Sequence, residues 1–213
     1  MLQVISANQI TLDAVETRFG LTFVREPDFF PECLHLDGKL PESSFHALDR
    51  VQSNFLTLLK RSVVLEDIVK MVVLSPLLDL AGFYESPYQI EAETSVELDV
   101  ADRDEVIRGR IDVLVLNQQL WLLVIESKRT SLDVLPAIPQ ALTYMLGNPN
   151  ATQPCYGLVT NGHLFLFLKL VRQPKPQYAY SRVFSIVNPG NELYTVLQIL
   201  KHLGNAIAHS FDG

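Results

Sequence analysis

The hydrophobic pattern of this chain changes its period near Tyr88, and that change constrains the fold more than any other feature. Before Tyr88, apolar residues recur at three- and four-residue spacing, which predicts α-helices. After it, apolar and polar residues alternate, which predicts β-strands. The predicted helices are 12–19, one that begins at Ser43 or Ser44, and one from about Ser62 to Gly82 that Pro76 kinks or ends. The predicted strands are 89–100, 106–116 and 120–128, joined by turns short enough for an antiparallel meander.

The rest of the chain, from residue 129 onward, contains both element types. The patterns predict a helix over 131–148, strands over 155–160 and 163–171, another strand near 180–187 and a helix over 191–207. This order predicts an α/β (α+β) fold with a mixed central sheet flanked by helices. We expect one compact domain, in which residues 1–62 form an N-terminal helical extension packed on a core built by residues 63–213.

Composition excludes several classes of protein. No run of 18 apolar residues occurs, so no membrane span is expected. The N-terminus lacks the pattern of a secretory signal, so we expect a cytoplasmic protein. Cys33 and Cys155 are far apart and belong to no C-x-x-C pair, which favours reduced thiols over a disulfide or a zinc site.

Three charged residues interrupt the apolar meander. Asp112 follows Ile111 and precedes a run of apolar residues, and Glu126 with Lys128 ends the hydrophobic run WLLVI. A central strand that presents carboxylates and a lysine departs from ordinary packing. Two converging carboxylates favour a divalent cation such as Mg²⁺, and a nearby lysine can orient water or stabilise charge on a phosphate. The alternative is a structural ion pair at a strand end.

These residues resemble the motif of the PD-(D/E)xK nuclease superfamily, and more closely the N-terminal nuclease domain of type I restriction enzyme R subunits. The matching elements are G-x-x-D at 109–112, E-S-K at 126–128 and Q-A-L-T-Y at 140–144, within a resemblance that covers roughly 63–187. The proline that names the superfamily is absent, because Ile111 precedes Asp112.

The resemblance implies a restriction-endonuclease-like αβββαβ core and a DNA endonuclease that uses Mg²⁺ or Mn²⁺. It implies that Asp112, Glu126 and Lys128 are catalytic and that Gln140 and Tyr144 support the site. It also implies a helical acidic residue among the metal ligands Asp112 and Glu126. Glu66 is the candidate, and a solvated Asp67 beside it is the alternative for that turn.

Other features narrow the expected role. G-x-x-x-x-G at 157–162 is followed by His163 and not by Gly-Lys, so neither ATP binding nor a motor is expected. DNA is the expected partner, with restriction or repair proteins as further partners, and many nucleases of this fold act as homodimers. The alternative function is a catalytically silent nuclease-fold module for nucleic-acid binding or assembly.

The acidic net charge of −7 argues against a general polyanion binder. The acidity is concentrated between Glu66 and Asp133, where 14 acidic residues face 6 basic ones. From Val134 onward, 2 acidic residues face 5 basic ones, which predicts phosphate contacts on the C-terminal strands beside Tyr178 and Tyr180. We therefore expect weak, salt-sensitive DNA binding that a metal ion assists.

Overall fold

The structure is a computed structural model that describes residues 3–34, 36, 38–100, 104–117, 120–128 and 133–208. The strands are β1 (Gln3–Ser6), β2 (Thr22–Phe23), β3 (Tyr88–Val100), β4 (Glu105–Asn117), β5 (Leu120–Ser127), β6 (Cys155–Thr160), β7 (Leu164–Val171), β8 (Gln177–Tyr180) and β9 (Phe184–Ser185). The α-helices are α1 (Leu12–Phe19), α2 (Glu42–Leu59), α3 (Glu66–Val69), α4 (Ser75–Ala81), α5 (Ile138–Leu146) and α6 (Leu193–Ala208). A π-helical turn, Lys70–Leu74, joins α3 to α4.

The nine strands form one mixed sheet in the part of the chain that the structure describes. The meander β3–β4–β5 is antiparallel, as its short turns predict. Helix α5 then carries the chain to β6, which lies parallel to β5, and β7 and β8 follow antiparallel. The protein is therefore a mixed α/β structure, and the predicted order of helix, three strands, helix and strand is present between α3 and β6.

Helices cover both faces of the sheet and bury two apolar clusters. Helices α2, α4 and α6 pack on one face, where Phe55, Leu77 and Leu197 are fully buried. Helices α1 and α5 pack on the other face, where Val15 and Met145 are fully buried. Because both faces are covered, the central strands β6 and β7 are apolar almost throughout instead of alternating.

The helix predicted from Ser62 differs from the observed one at both its start and its middle. It begins at Glu66, after an extended Leu65, and Ser62 does not cap it. The chain stays helical past Pro76 to Ala81, but its hydrogen bonding widens into the π-helical turn just before that residue. Proline lacks the N–H that would bind the carbonyl four residues earlier, and this loss accounts for the local change. Gly82 ends the segment in the left-handed conformation, with φ of 85°.

The first 62 residues contain more than the predicted helices. β1 pairs in parallel with residues 105–108 of β4, and β2 pairs in parallel with β8. Short strands of four and two residues are too brief for alternation to reveal them in the sequence. The domain boundary at residue 62 stays a prediction.

The membrane spans and the cysteines considered from the sequence can be compared with the structure. No helix in the described ranges has the length and apolar character needed to cross a bilayer. Cys33 and Cys155 are free thiols, and Cys155 is buried.

Candidate active site

The site forms at the point along β4 where the strand paired with one of its edges changes from β1 to β5. β3 pairs along the whole of one edge of β4, so β1 and β5 share the other edge. β1 takes residues 105–108 and β5 takes residues 113–117, which leaves 109–112 between them. Since Val113 pairs with Ile125, Asp112 and Glu126 are the next residues on two strands that separate at this point.

Helix α5 lies over this separation and closes it with Tyr144. The Tyr144 hydroxyl accepts a hydrogen bond from the backbone N–H of Arg110 at 3.3 Å. Its ring rests on Gly109, where an added Cβ would lie 2.5 Å from Tyr144 Cε1. Gly109 of the G-x-x-D motif therefore packs directly against Tyr144 of the Q-x-x-x-Y motif. A larger residue at 109 would displace the ring.

A chain of hydrogen bonds connects α5 to the end of β5. Lys128 Nζ donates to Glu126 Oε1 and, at 3.0 Å, to Gln140 Oε1. Gln140 Nε2 in turn donates to the Tyr144 hydroxyl at 2.8 Å. Residues 140 and 144 are one helical turn apart, so both side chains leave the same face of α5. The helix therefore orients the lysine, and the lysine orients one oxygen of Glu126.

Glu126 is held in an environment that disfavours its charge. The residue is 2% exposed, and its Oε2 atom is buried without a hydrogen-bond partner. Burial, with the negative charge of Asp112 adding to it, raises the pKa of Glu126 to about 8, although Lys128 acts in the opposite direction. A buried carboxylate oxygen without a partner is costly, and a cation or a proton would relieve that cost.

A second lysine, Lys70, lies among the other carboxylates. Its Nζ is 3.0 Å from Glu66 Oε1 and 3.1 Å from Asp112 Oδ1, and it reaches Glu93 Oε1 at 3.5 Å. Partial burial opposes the charged form of this ammonium, but the hydrogen bond to Glu66 and the charge of Asp112 outweigh burial and raise the pKa of Lys70. One ammonium thus joins carboxylates from α3, β3 and β4.

Glu93 reaches this cluster through an unusual backbone conformation. It lies between Ala92 and Thr94, which pair with residues on either side of Asp112, and its φ is 57°. A non-glycine residue in the left-handed region is strained, and such residues concentrate at functional sites. Its carboxylate also contacts Arg110 at 3.3 Å.

Clefts flank the carboxylates on two sides. One cleft of about 480 Å³ is lined by Lys70, Asp112 and Glu93 at one end and by apolar residues, including Met71, beyond them. A second cleft of about 250 Å³ is lined by residues that include Lys128 and Gln140. Solvent and small molecules can therefore approach the site from both sides.

The structure brings the sequence-predicted residues together in two connected groups. Glu126, Lys128, Gln140 and Tyr144 form one hydrogen-bonded chain, and Asp112 and Glu66 meet at Lys70. Asp67 is exposed, as expected of a solvated neighbour. Within the described ranges, no three or more histidine, cysteine, aspartate or glutamate side chains are already arranged as a metal-binding cluster.

Sequence reasoning missed Lys70 and Glu93. The four-residue spacing of Glu66 and Lys70 is a signal for a helical ion pair, but such pairs are common on helix surfaces. No sequence signal marks Glu93, because its role follows from a positive φ that only the folded sheet reveals.

The phosphate contacts predicted on the C-terminal strands stay a prediction, although two of their basic residues, Lys169 and Arg172, serve internal contacts. Lys169 is buried against Glu32, whereas Arg182 pairs with Glu192 at the surface and stays exposed. Arg172 donates to the backbone carbonyls of the α5 end and the turn after it. Tyr178 is buried too, at 1% exposure. A count of charges cannot show which basic groups folding places against other parts of the chain.

Comparisons with known proteins find similarity among solved structures but not among protein families or curated sequences. No family model matches the sequence, and no curated protein matches it significantly. Among solved structures, a fragment assigned as the HsdR subunit of a type I restriction enzyme from Vibrio vulnificus aligns with a TM-score of 0.40 and 18% sequence identity. The alignment covers 64% of this chain and 26% of that one, so this chain spans about a quarter of the matched protein.

Proposed function

We propose that this protein is a divalent-metal-dependent phosphodiesterase that cleaves DNA. The observation that carries the proposal is the state of Glu126, whose Oε2 is buried without a partner beside Asp112 while Lys128 binds the other oxygen. Structural ion pairs satisfy their buried atoms, and unsatisfied ones are rare in proteins. An oxygen kept unpaired at such cost favours a ligand site over a structural role.

The donor set fits Mg²⁺ or Mn²⁺ by its chemistry. Glu126, Asp112 and Glu66 supply carboxylate oxygens, the ligands that hard divalent cations prefer. A cation would satisfy Glu126 Oε2 and offset the repulsion between Glu126 and Asp112 that contributes to the raised pKa of Glu126. When bound, such an ion supplies Lewis-acid stabilisation to a phosphodiester.

Lys128, Gln140 and Tyr144 would position the attacking water and the other groups of the site. Lys128, whose ammonium is held between Glu126 and Gln140, is placed to orient an attacking water and to stabilise negative charge on the phosphate. Gln140 and Tyr144 fix that lysine and hold the opened edge of β4. DNA as the substrate, type I restriction-like action, restriction or repair partners and a homodimer belong to this proposal.

Incubation of supercoiled and linear DNA with Mg²⁺ or Mn²⁺ tests the proposal. We expect nicking or cleavage by the wild-type protein that EDTA abolishes. Glu126→Gln and Lys128→Met should each lower the rate by at least about 100-fold, because each removes a group that contacts the reacting atoms. Glu85→Gln, an exposed residue, is the matched control and should retain wild-type activity.

Equal cleavage by the wild type and by both site variants would show that the nuclease is a contaminant and would overturn the assignment. Calorimetric measurement of Mg²⁺ or Mn²⁺ binding then distinguishes the proposed nuclease from the alternative function, a catalytically silent module. Because Lys70 and Lys128 already neutralise the carboxylates, a silent binding or assembly module would bind no Mg²⁺ or Mn²⁺ at millimolar concentration.

A further inference from the structure

Lys70 occupies the position of a cation in the candidate active site. Its Nζ lies within 3.5 Å of carboxylate oxygens from Glu66, Asp112 and Glu93, which come from three different elements. The lysine side chain is 20% exposed and Asp112 is 12% exposed, so water screens this contact less than it would at the surface. Without a cation at this point, the carboxylates would repel one another.

Two of these carboxylates are among those proposed to hold the metal. A metal ion and an ammonium cannot occupy one position between Glu66 and Asp112, and two cations placed side by side would repel. The unpartnered Oε2 of the almost fully buried Glu126 is an independent indication that a cation belongs next to this cluster.

We propose that Lys70 is a built-in counter-ion that holds the acidic cluster together in the metal-free protein and that a divalent ion displaces it. Lys70 thereby sets the metal affinity of the site, a property that rests on the proposed metal-dependent function. The cleft of about 480 Å³ that Lys70 helps to line gives the displaced side chain a space to enter. The apolar stem of lysine can lie along Met71 and Leu74, with the ammonium in water.

Direct measurement of Mn²⁺ binding by calorimetry or by electron paramagnetic resonance tests this role without relying on activity. Lys70→Gln removes the competing charge, so we expect its Kd for Mn²⁺ to fall by roughly tenfold or more at low ionic strength. Lys70→Arg retains the charge and should stay within about threefold of the wild type. Lys60→Gln is the matched control, since it makes the same charge change at an exposed lysine after α2.

A measurement on the wild-type protein covers the case in which Lys70→Gln does not fold. Acetylation by acetic anhydride, followed by mass spectrometry, reports how freely each lysine reacts. Without metal, Lys70 should react slowly because its ammonium is held by carboxylates, and saturating Mg²⁺ should speed its modification several-fold relative to Lys60. Unchanged Lys70 reactivity would overturn the proposal.

The outcomes separate this inference from the proposed function. If the wild type and all variants bind Mn²⁺ with the same Kd, the metal site stands and the role of Lys70 falls. Tighter binding by both Lys70→Gln and Lys70→Arg would also refute a charge effect. If no protein binds Mn²⁺ at millimolar concentration, the proposed function fails, and the role of Lys70 fails with it.

Discussion

At the scale of single residues, the buried carboxyl group of Glu126 in the candidate site lowers the stability of the folded protein when it is ionised. Its pKa is about 8 in the folded protein, against 4.5 for an ordinary glutamate. The unfolded chain therefore releases this proton first, and the folded state loses stability as the pH rises from about 4.5 through 8.

Glu126→Gln should remove this pH dependence in EDTA. We expect the variant to be more stable than the wild type at pH 8 to 9, on the order of 2–4 kcal/mol, with the difference vanishing near pH 4. Urea unfolding across this pH range measures it, with Glu85→Gln as the surface control. Parallel pH profiles for the wild type and Glu126→Gln would contradict the raised pKa.

Gly109 is the other residue whose identity the structure explains. An alanine Cβ at this position would lie 2.7 Å from the Tyr144 hydroxyl and 2.8 Å from Ala7 Cβ, closer than van der Waals contact allows. Gly109→Ala should therefore lower the free energy of unfolding by about 1–3 kcal/mol, as overpacking does elsewhere.

A double-mutant cycle with Tyr144→Ala tests whether contact with Tyr144 causes the loss of stability in Gly109→Ala. Once the ring is gone, adding Gly109→Ala should cost less than it does in the wild type, because the two nearest atoms to the added Cβ both belong to Tyr144. The same cost in both backgrounds, measured by urea unfolding, would show that Tyr144 is not what excludes a side chain at 109.

At the scale of elements, an ion pair attaches the N-terminal region to the sheet. Glu32, in a short 3₁₀ turn after residue 30, accepts from Lys169 Nζ on β7 at 2.7 and 3.0 Å. It also accepts from the Tyr156 hydroxyl on β6 at 2.7 Å. Both side chains of the ion pair are less than 15% exposed, so removal of either leaves the other charge poorly solvated.

Lys169→Met should destabilise the protein by about 3 kcal/mol, because Glu32 then keeps its charge without its partner. Adding Glu32→Gln should recover part of the loss, since the second change removes the unpaired charge. Chemical unfolding measures both variants, and the exposed Lys175→Gln is the control. A loss for Lys169→Met no larger than that of the control would contradict a stabilising role for the pair.

At the scale of the whole molecule, the distribution of charge limits how the proposed DNA substrate could bind. Lys169 and Arg172 serve internal contacts, while Arg182 and Lys175 are exposed, so only part of the C-terminal basic charge is available for phosphates. Binding should then depend on the metal site more than on a basic surface.

Fluorescence anisotropy with labelled DNA and Ca²⁺ in place of Mg²⁺ tests this expectation. We expect weak binding at about 50 mM NaCl that weakens further at about 200 mM and is lost in EDTA. Glu126→Gln should weaken the Ca²⁺-dependent part, and Glu85→Gln should not. Equal affinity in EDTA and in Ca²⁺ would place the DNA contacts away from the carboxylates.

The sequence alone predicts most of the central elements. The strands β3 to β7 and helices α1 and α6 lie within a few residues of their predicted bounds, since periodicity is a local property of the chain, whereas α5 begins at Ile138, seven residues after its predicted start. It also singles out Asp112, Glu126 and Lys128, because charge inside an apolar strand is visible without a structure. The misplaced helix start at Ser62 and the missed β1 and β2 are cases where local signals are short or ambiguous.

By itself, the sequence determined which elements form and which charged residues lie inside apolar strands, because buried segments are recognisable by their apolar residues. Only the tertiary structure decided how they are partnered. Lys70 reaches both Glu93 and Asp112 because the helical turn after α3 lies beside β3 and β4, and Gly109 meets Tyr144 because α5 crosses the gap between β1 and β5. Such contacts join residues 23 to 42 positions apart, and the distances between them depend on the packing of whole elements, which no local pattern encodes.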